Sequence, residues 1–160
     1  MELVQGCAVS VAGLAAVTDV WSRRIPNWVT FGTLLLGVVL NTWLHGVEGA
    51  VGALAGAALG IGLLLPFYAM GAIGAGDVKL LGALGAVLGP QALLSVAVYG
   101  ALVGGLMSVC ILASRGRLFV ALGDILVRRQ PPARSGATAP YGVAIAAGVL
   151  LSIVLPGVFG

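Results

Sequence analysis

Five acidic residues occur among 160, and two of them stand out by position. Asp19 closes a charge-free run over 3–18, and Asp77 closes another over 49–76. An ionisable group in or beside a bilayer is costly, more so at the centre than at the edge, and is a functional candidate by default. Two carboxyls brought close together share a proton and titrate as a pair. The ionised member takes a proton from water, while the protonated member polarises a carbonyl and later helps an amine depart. This is hydrolytic acid–base chemistry, and it requires no metal, nucleotide or covalent intermediate. The bland alternative pairs Asp19 with Arg23 one helical turn on, as an interface marker. Asp77 with Lys79 is a poorer pair, because i,i+2 neighbours on a helix do not face each other.

Other chemistries lack their residues. His45 is the only histidine, beside Glu48, and reads as a loop or interface residue without partners for a triad or a metal site. Cys7 and Cys110 lie far apart with no CxxC spacing and read as small apolar packing residues. Gly74-Ala75-Gly76 lacks the GK[ST] that would make a phosphate loop. No cofactor or metal is expected.

The elements that must position the two aspartates are transmembrane helices. Apolar residues make up 60% of the chain and charged residues 8%, against about 25% charged in a soluble domain. Charge-free stretches cover 3–18, 25–47, 49–76, 80–114 and 135–160, most of them near the roughly 20 residues needed to cross the hydrocarbon layer. They predict helices over 2–19, 28–44, 49–70, 78–89, 91–113 and 141–158. As one helix, 80–114 would run about 52 Å, and Gly89-Pro90 offers a break. With six spans and the N-terminus outside, all eight basic residues fall on the cytoplasmic side, as the positive-inside rule prefers. The expectation is an all-α, polytopic, six-span protein with both termini on the outer side. It forms a single domain over 1–160 with a cytoplasmic loop at 114–140. The first helix reads as uncleaved, because Glu2 leads it and Arg23 and Arg24 follow it. The net charge of +3 reports topology; no nucleic-acid partner is expected.

The predicted fourth span is short, about 18 Å over 78–89. That places Asp77 below the membrane surface, with Gly71 to Gly76 as irregular backbone lining a cavity. Gly52, Gly56 and Gly60 recur every four residues, as do Gly100 and Gly104, giving faces for close helix approach. In the basic loop, Leu118, Leu122, Ile125 and Leu126 follow helical spacing up to Pro131-Pro132. They predict a short amphipathic helix on the inner leaflet, in contact with membrane lipids. A basic loop would repel a basic substrate, so its expected role is orientation.

Three ordered motifs carry a resemblance. Gly74-Ala75-Gly76-Asp77-Val78-Lys79-Leu80-Leu81 resembles the GxGD motif of the type IV prepilin peptidases. Asp19-Val20-Trp21-Ser22-Arg23-Arg24-Ile25-Pro26-Asn27 is similar to that family's other aspartate motif, D-x5-[IL]-P-N. Pro140-Tyr141-Gly142-Val143-Ala144-Ile145 resembles the opening of the family's last helix. The resemblance implies an inner-membrane aspartic endopeptidase that removes the short basic leader from prepilins or pseudopilins at the cytoplasmic face. It implies Asp19 and Asp77 as the catalytic pair. Gly74 and Gly76 shape the backbone beside Asp77, Pro26 and Asn27 complete the first motif, and Lys79 tunes or holds the pair. The eight residues from Val20 to Asn27 leave no room for the cysteine-bearing domain of the bifunctional, N-methylating members. The compact form resembles the peptidases of tight-adherence (Flp) pili and the archaeal preflagellin type. Two other readings compete: a proton or cation relay using the same aspartates, and a non-catalytic assembly subunit descended from a peptidase.

Overall fold

A computed structural model describes residues 2–22, 26–114, 116 and 141–155. The described chain is helical throughout: α1 (Glu2–Ser22), α2 (Asn27–Ala69), α3 (Ala75–Ser114) and α4 (Tyr141–Val154). The predicted amphipathic helix, Arg23, Arg24 and the end of the predicted last span lie outside the described residues.

α2 and α3 are each two helices joined at one non-helical glycine, Gly46 (φ 63°) and Gly89 (φ 77°). Positive φ is open to glycine because it has no Cβ. Pro90 secures the second break, since its ring nitrogen cannot donate to the carbonyl four residues back. That carbonyl belongs to Ala86, and it is not left bare. Asn41 Nδ2 donates to the carbonyls of Ala86, Val87 and Gly37, each at 3.0 Å. The described residues thus form six helical segments, with breaks close to those predicted. The break near 45–48 is a single-residue kink rather than a loop.

Two boundaries need correcting. The fourth segment starts at Ala75, not Val78, so Gly76 lies in a helical first turn rather than in irregular backbone. The irregular stretch shrinks to the turn between α2 and α3. There the Gly71 N–H donates to the Tyr68 carbonyl (2.8 Å) and the Ala72 N–H to the Phe67 carbonyl (2.9 Å). This pair of bonds, with Gly71 at φ 73°, closes α2 as a Schellman cap.

The packing is inverted relative to a soluble bundle. The faces of α2 turned inward carry Thr30, Thr33, Gly37, Ala53, Gly56, Ala57 and Gly60. Large apolar residues such as Phe31, Leu35, Val39 and Leu54 face outward. Small residues inside let backbones approach, which is how helices associate in lipid. Gly56 and Gly85 meet backbone to backbone, with no room for a Cβ on either. Gly60 does the same against Leu81 and Gly82, whereas Gly52, expected on this face, looks into open space. Gly100 and Gly104 pack against α4, on Ala144 and Tyr141. Both α2 and α3 are long and apolar enough to cross a membrane.

The first arm of α3 is the hub. Every residue from Asp77 to Val87 is buried except Lys79. A helix buried all round has no polar stripe. Leu80, Leu84 and Val87, with Leu93 and Val96 from the second arm and Ile145 and Val149 from α4, form the sealed core. This hub fixes the start of α3, and with it Asp77.

Candidate active site

The site lies where α1 ends and α3 and α4 begin. Asp77 occupies the third position of α3, and its carboxylate turns back to accept the Gly74 N–H at Oδ2, 3.1 Å. The Asp77 N–H in turn donates to the Gly74 carbonyl, 3.2 Å. This is the carboxylate half of a capping box, with glycine in place of the usual Ser or Thr. A Cβ on residue 74 would lie 3.3 Å from that carboxylate oxygen, so the bare glycine leaves the turn its clearance. The helix dipole favours an anion here.

Asp19 sits near the C-terminal end of α1, where its own helix offers no donor. Its Oδ2 accepts the N–H of Gly142, the second residue of α4, at 2.9 Å. The last helix therefore presents its free N-terminal donors to a carboxylate supplied by the first. A Cβ on Gly142 would lie 2.8 Å from Oδ2 and 3.1 Å from Asp19 Cβ. Only glycine at 142 lets the carboxylate reach the helix end.

The two aspartates are 58 positions apart in the chain, yet both are 9% exposed, and the helices that carry them, α1 and α3, both pack against α4. Each uses Oδ2 on one backbone N–H. Among the described residues, Oδ1 of neither has a hydrogen-bond partner.

Among the described residues, Lys79 bonds to Asn27 and to neither aspartate. Its ammonium donates to Asn27 Oδ1 at 3.0 Å and lies 6.0 Å from the centre of the Phe31 ring. Pro26 opens α2 in an extended conformation (φ −61°, ψ 137°). Its carbonyl accepts the Val29 N–H at 3.1 Å. Lys79 and Asn27 thus join the starts of α2 and α3 beside the aspartates. The Pro-Tyr-Gly pattern marks the start of α4, but nothing in the sequence singles out Gly142 as a partner of Asp19. The contact with Asp19 spans 123 positions, and no local spacing encodes it.

The model of the type IV leader peptidase family matches residues 7–109, well over half of the 160-residue chain. The chain belongs to the type IV leader peptidase family. It is a protease by family and a membrane protein by family and by its long apolar helices. No curated protein and no solved structure matches it individually. The matched span contains both aspartates and the Lys79–Asn27 link of this leader peptidase. It stops short of α4, so the helix end that holds Asp19 is a contribution read from the structure of this chain.

Proposed function

We propose that this leader peptidase is an aspartic endopeptidase in which Asp19 and Asp77 form the catalytic pair. It cuts the N-terminal leader from type IV prepilins or pseudopilins at the cytoplasmic face of the inner membrane. The observation that supports the reading is the burial of two carboxylates, one on α1 and one on α3, each anchored among the described residues through one oxygen to one backbone N–H. Structural carboxylates bury themselves by saturating both oxygens. These two keep capacity for a water and a carbonyl. One, ionised, takes a proton from water as the water attacks; the other, protonated, supplies the carbonyl oxygen.

Six spans with both termini outside remain the topology we favour. Trp21 and Trp28 are exposed at the aspartate end and Trp43 at the other end of the first arm of α2. Trp prefers both membrane–water interfaces, and Trp28 to Trp43 spans about 22 Å along a helix. The aspartates then lie near one interface, shielded by protein. Lys79 belongs to that end, and so do the end of α3 at Ser114 and the start of α4 at Tyr141, whose intervening sequence carries five arginines; the positive-inside rule then favours the cytoplasm for this side. A pilin precursor, whose leader precedes an apolar helix, would present its junction at this depth.

The test is cleavage of a co-expressed pilin precursor in membranes, with the new N-terminus sequenced. The parent should trim the leader, and Asp19→Asn and Asp77→Asn, inserted at normal levels, should not. Normal cleavage by either variant would overturn the aspartic mechanism. Proton flux dependent on both aspartates, with no cleavage by the parent, would favour the relay.

A further inference from the structure

Asp77 is held by its own element, the buried first arm of α3. Asp19 is held differently. α1 packs chiefly on α4, less on α3, and barely touches α2. The face it buries is small: Ala8, Ala12 and Ala15 are at most 2% exposed. Its carboxylate accepts the Gly142 N–H of the same α4. The place of Asp19 relative to α3, and so to Asp77, therefore passes through α4. That helix is in turn seated on the second arm of α3, most closely at Gly148. A Cβ there would lie 2.6 Å from the Val96 carbonyl oxygen, 2.7 Å from the Gly100 nitrogen and 2.9 Å from Gly100 Cα. All three are backbone atoms, which cannot swing aside as the end of a side chain can. Gly100 faces the same helix with room to spare. Its Cβ would meet Ala144 and Ile145 at 3.5 Å or more, which is ordinary contact. One glycine of this interface is obligatory and its neighbour is not.

We infer that Gly148 is a positioning residue for the peptidase reaction, one that sets where α4, and through Gly142 the Asp19 carboxylate, stands relative to Asp77. Gly148 follows Gly142 by about 9 Å along the helix axis, so it acts at a distance. α4 is a continuous 14-residue helix, and a hydrogen-bonded rod carries a displacement from one place to another. Non-bonded atoms settle at about 3.5–4 Å, so a methyl at 148 would part the two helices by about 1 Å. At the other end of the rod that shift either drags Asp19 with it or breaks its bond to Gly142. A catalytic group misplaced by about 1 Å costs about 10²-fold. The catalytic consequence rests on the aspartic peptidase reading above. The route from Gly148 to Asp19 rests on packing alone.

Gly148→Ala is the test, and Gly100→Ala on the same interface is its control. Each protein is purified in detergent and assayed on a precursor peptide comprising the leader and the following apolar helix. Gly148→Ala should lose about 10- to 100-fold in kcat with KM held, because the acid–base pair is disturbed and binding is not. Gly100→Ala should match the parent. Gly148→Ala combined with Gly142→Ala should be less impaired than the two losses multiplied, since both act on one carboxylate. A readout free of catalysis follows the carboxyls themselves: labelling by dicyclohexylcarbodiimide, mapped by mass spectrometry. Gly148→Ala should raise labelling of Asp19 several-fold and leave that of Asp77 unchanged, whereas a general loosening would raise both. Parent-like kcat in Gly148→Ala overturns the inference. So does a loss of kcat with Asp19 labelling unchanged, or with both aspartates labelled alike. Should Gly148→Ala fail to insert, Gly104→Ala decides by the same results. Its methyl would lie 2.9 Å from Tyr141 Cε2 and 3.3 Å from Ala144 Cβ, a gentler push on the same helix. Asp19→Asn and Asp77→Asn are assayed alongside. If both are inactive while Gly148→Ala cleaves normally, only the role of Gly148 fails. If either cleaves at the parent rate, the peptidase reading fails and takes the catalytic role of Gly148 with it, and the labelling alone judges the route to Asp19.

Discussion

At one end of the bundle two carboxylates each spend a single oxygen on a single backbone N–H. At the other end the Asn41 amide is shared among three carbonyls beside the Gly89-Pro90 break. Both clusters put polar atoms among apolar helices, where an unmet hydrogen bond is costly. They differ in how far the polar groups are satisfied. Asn41 supplies donors to carbonyls, at least one of which proline has orphaned, and its amide nitrogen is fully engaged. The aspartates are held in place but left with acceptor capacity. Saturation makes a brace; incomplete saturation under firm positioning leaves the acceptor capacity on which the proposed acid–base pair depends.

The sharpest way to break this contrast is at the carboxylates. Asp19→Asn and Asp77→Asn should each lower leader cleavage by about 10³-fold or more, since either acid–base partner is lost. Normal insertion of both variants, checked by membrane fractionation, separates chemistry from assembly. Gly142→Ala should come next. Its methyl would press on the Asp19 carboxylate, and a misplacement near 1 Å costs about 10²-fold. The measurement is kcat on the precursor peptide; an unimpaired variant would show that the α4 contact does not position Asp19.

At the opposite end the effect should change kind. Asn41→Leu should cost about 1–3 kcal/mol of stability, because buried carbonyls lose their donor. Thermal unfolding in detergent would report it, while kcat of the folded protein should stay at the parent value. A kcat defect without destabilisation would mean the two ends are coupled. The smallest effect is expected at the exposed link between the starts of α2 and α3. Lys79→Met and Asn27→Ala should each lower kcat/KM by about two- to five-fold. The double variant should fall no further than either alone, because both remove one contact.

How legible the molecule was depends on the range over which each feature is encoded. The two aspartates stood out because charge is rare in this composition, and a lone carboxyl in an apolar run is conspicuous at any distance. Gly89-Pro90 announced its break because proline's missing N–H is a local fact. The start of α3 lies three residues before the one the sequence predicts. Gly74-Ala75-Gly76 looks like broken backbone by propensity, yet Asp77 caps it into a helical turn through its own side chain. Which glycines would serve as contacts was also ambiguous. Gly52, Gly56 and Gly60 share a spacing, but only the last two face α3.

The sequence by itself determined that the chain is helical and apolar, where its helices break, and which two carboxyls lack an ordinary surface role. Each of these follows from residue chemistry or from neighbours a few positions away. The tertiary structure alone decided that α4 closes the site and that Gly142 holds Asp19. It also decided that Lys79 turns to Asn27 and that Asn41 repairs the proline break. Those contacts join residues 45 to 123 positions apart. They exist because small inward faces let backbones meet closely enough for a single N–H, amide or ammonium to reach across.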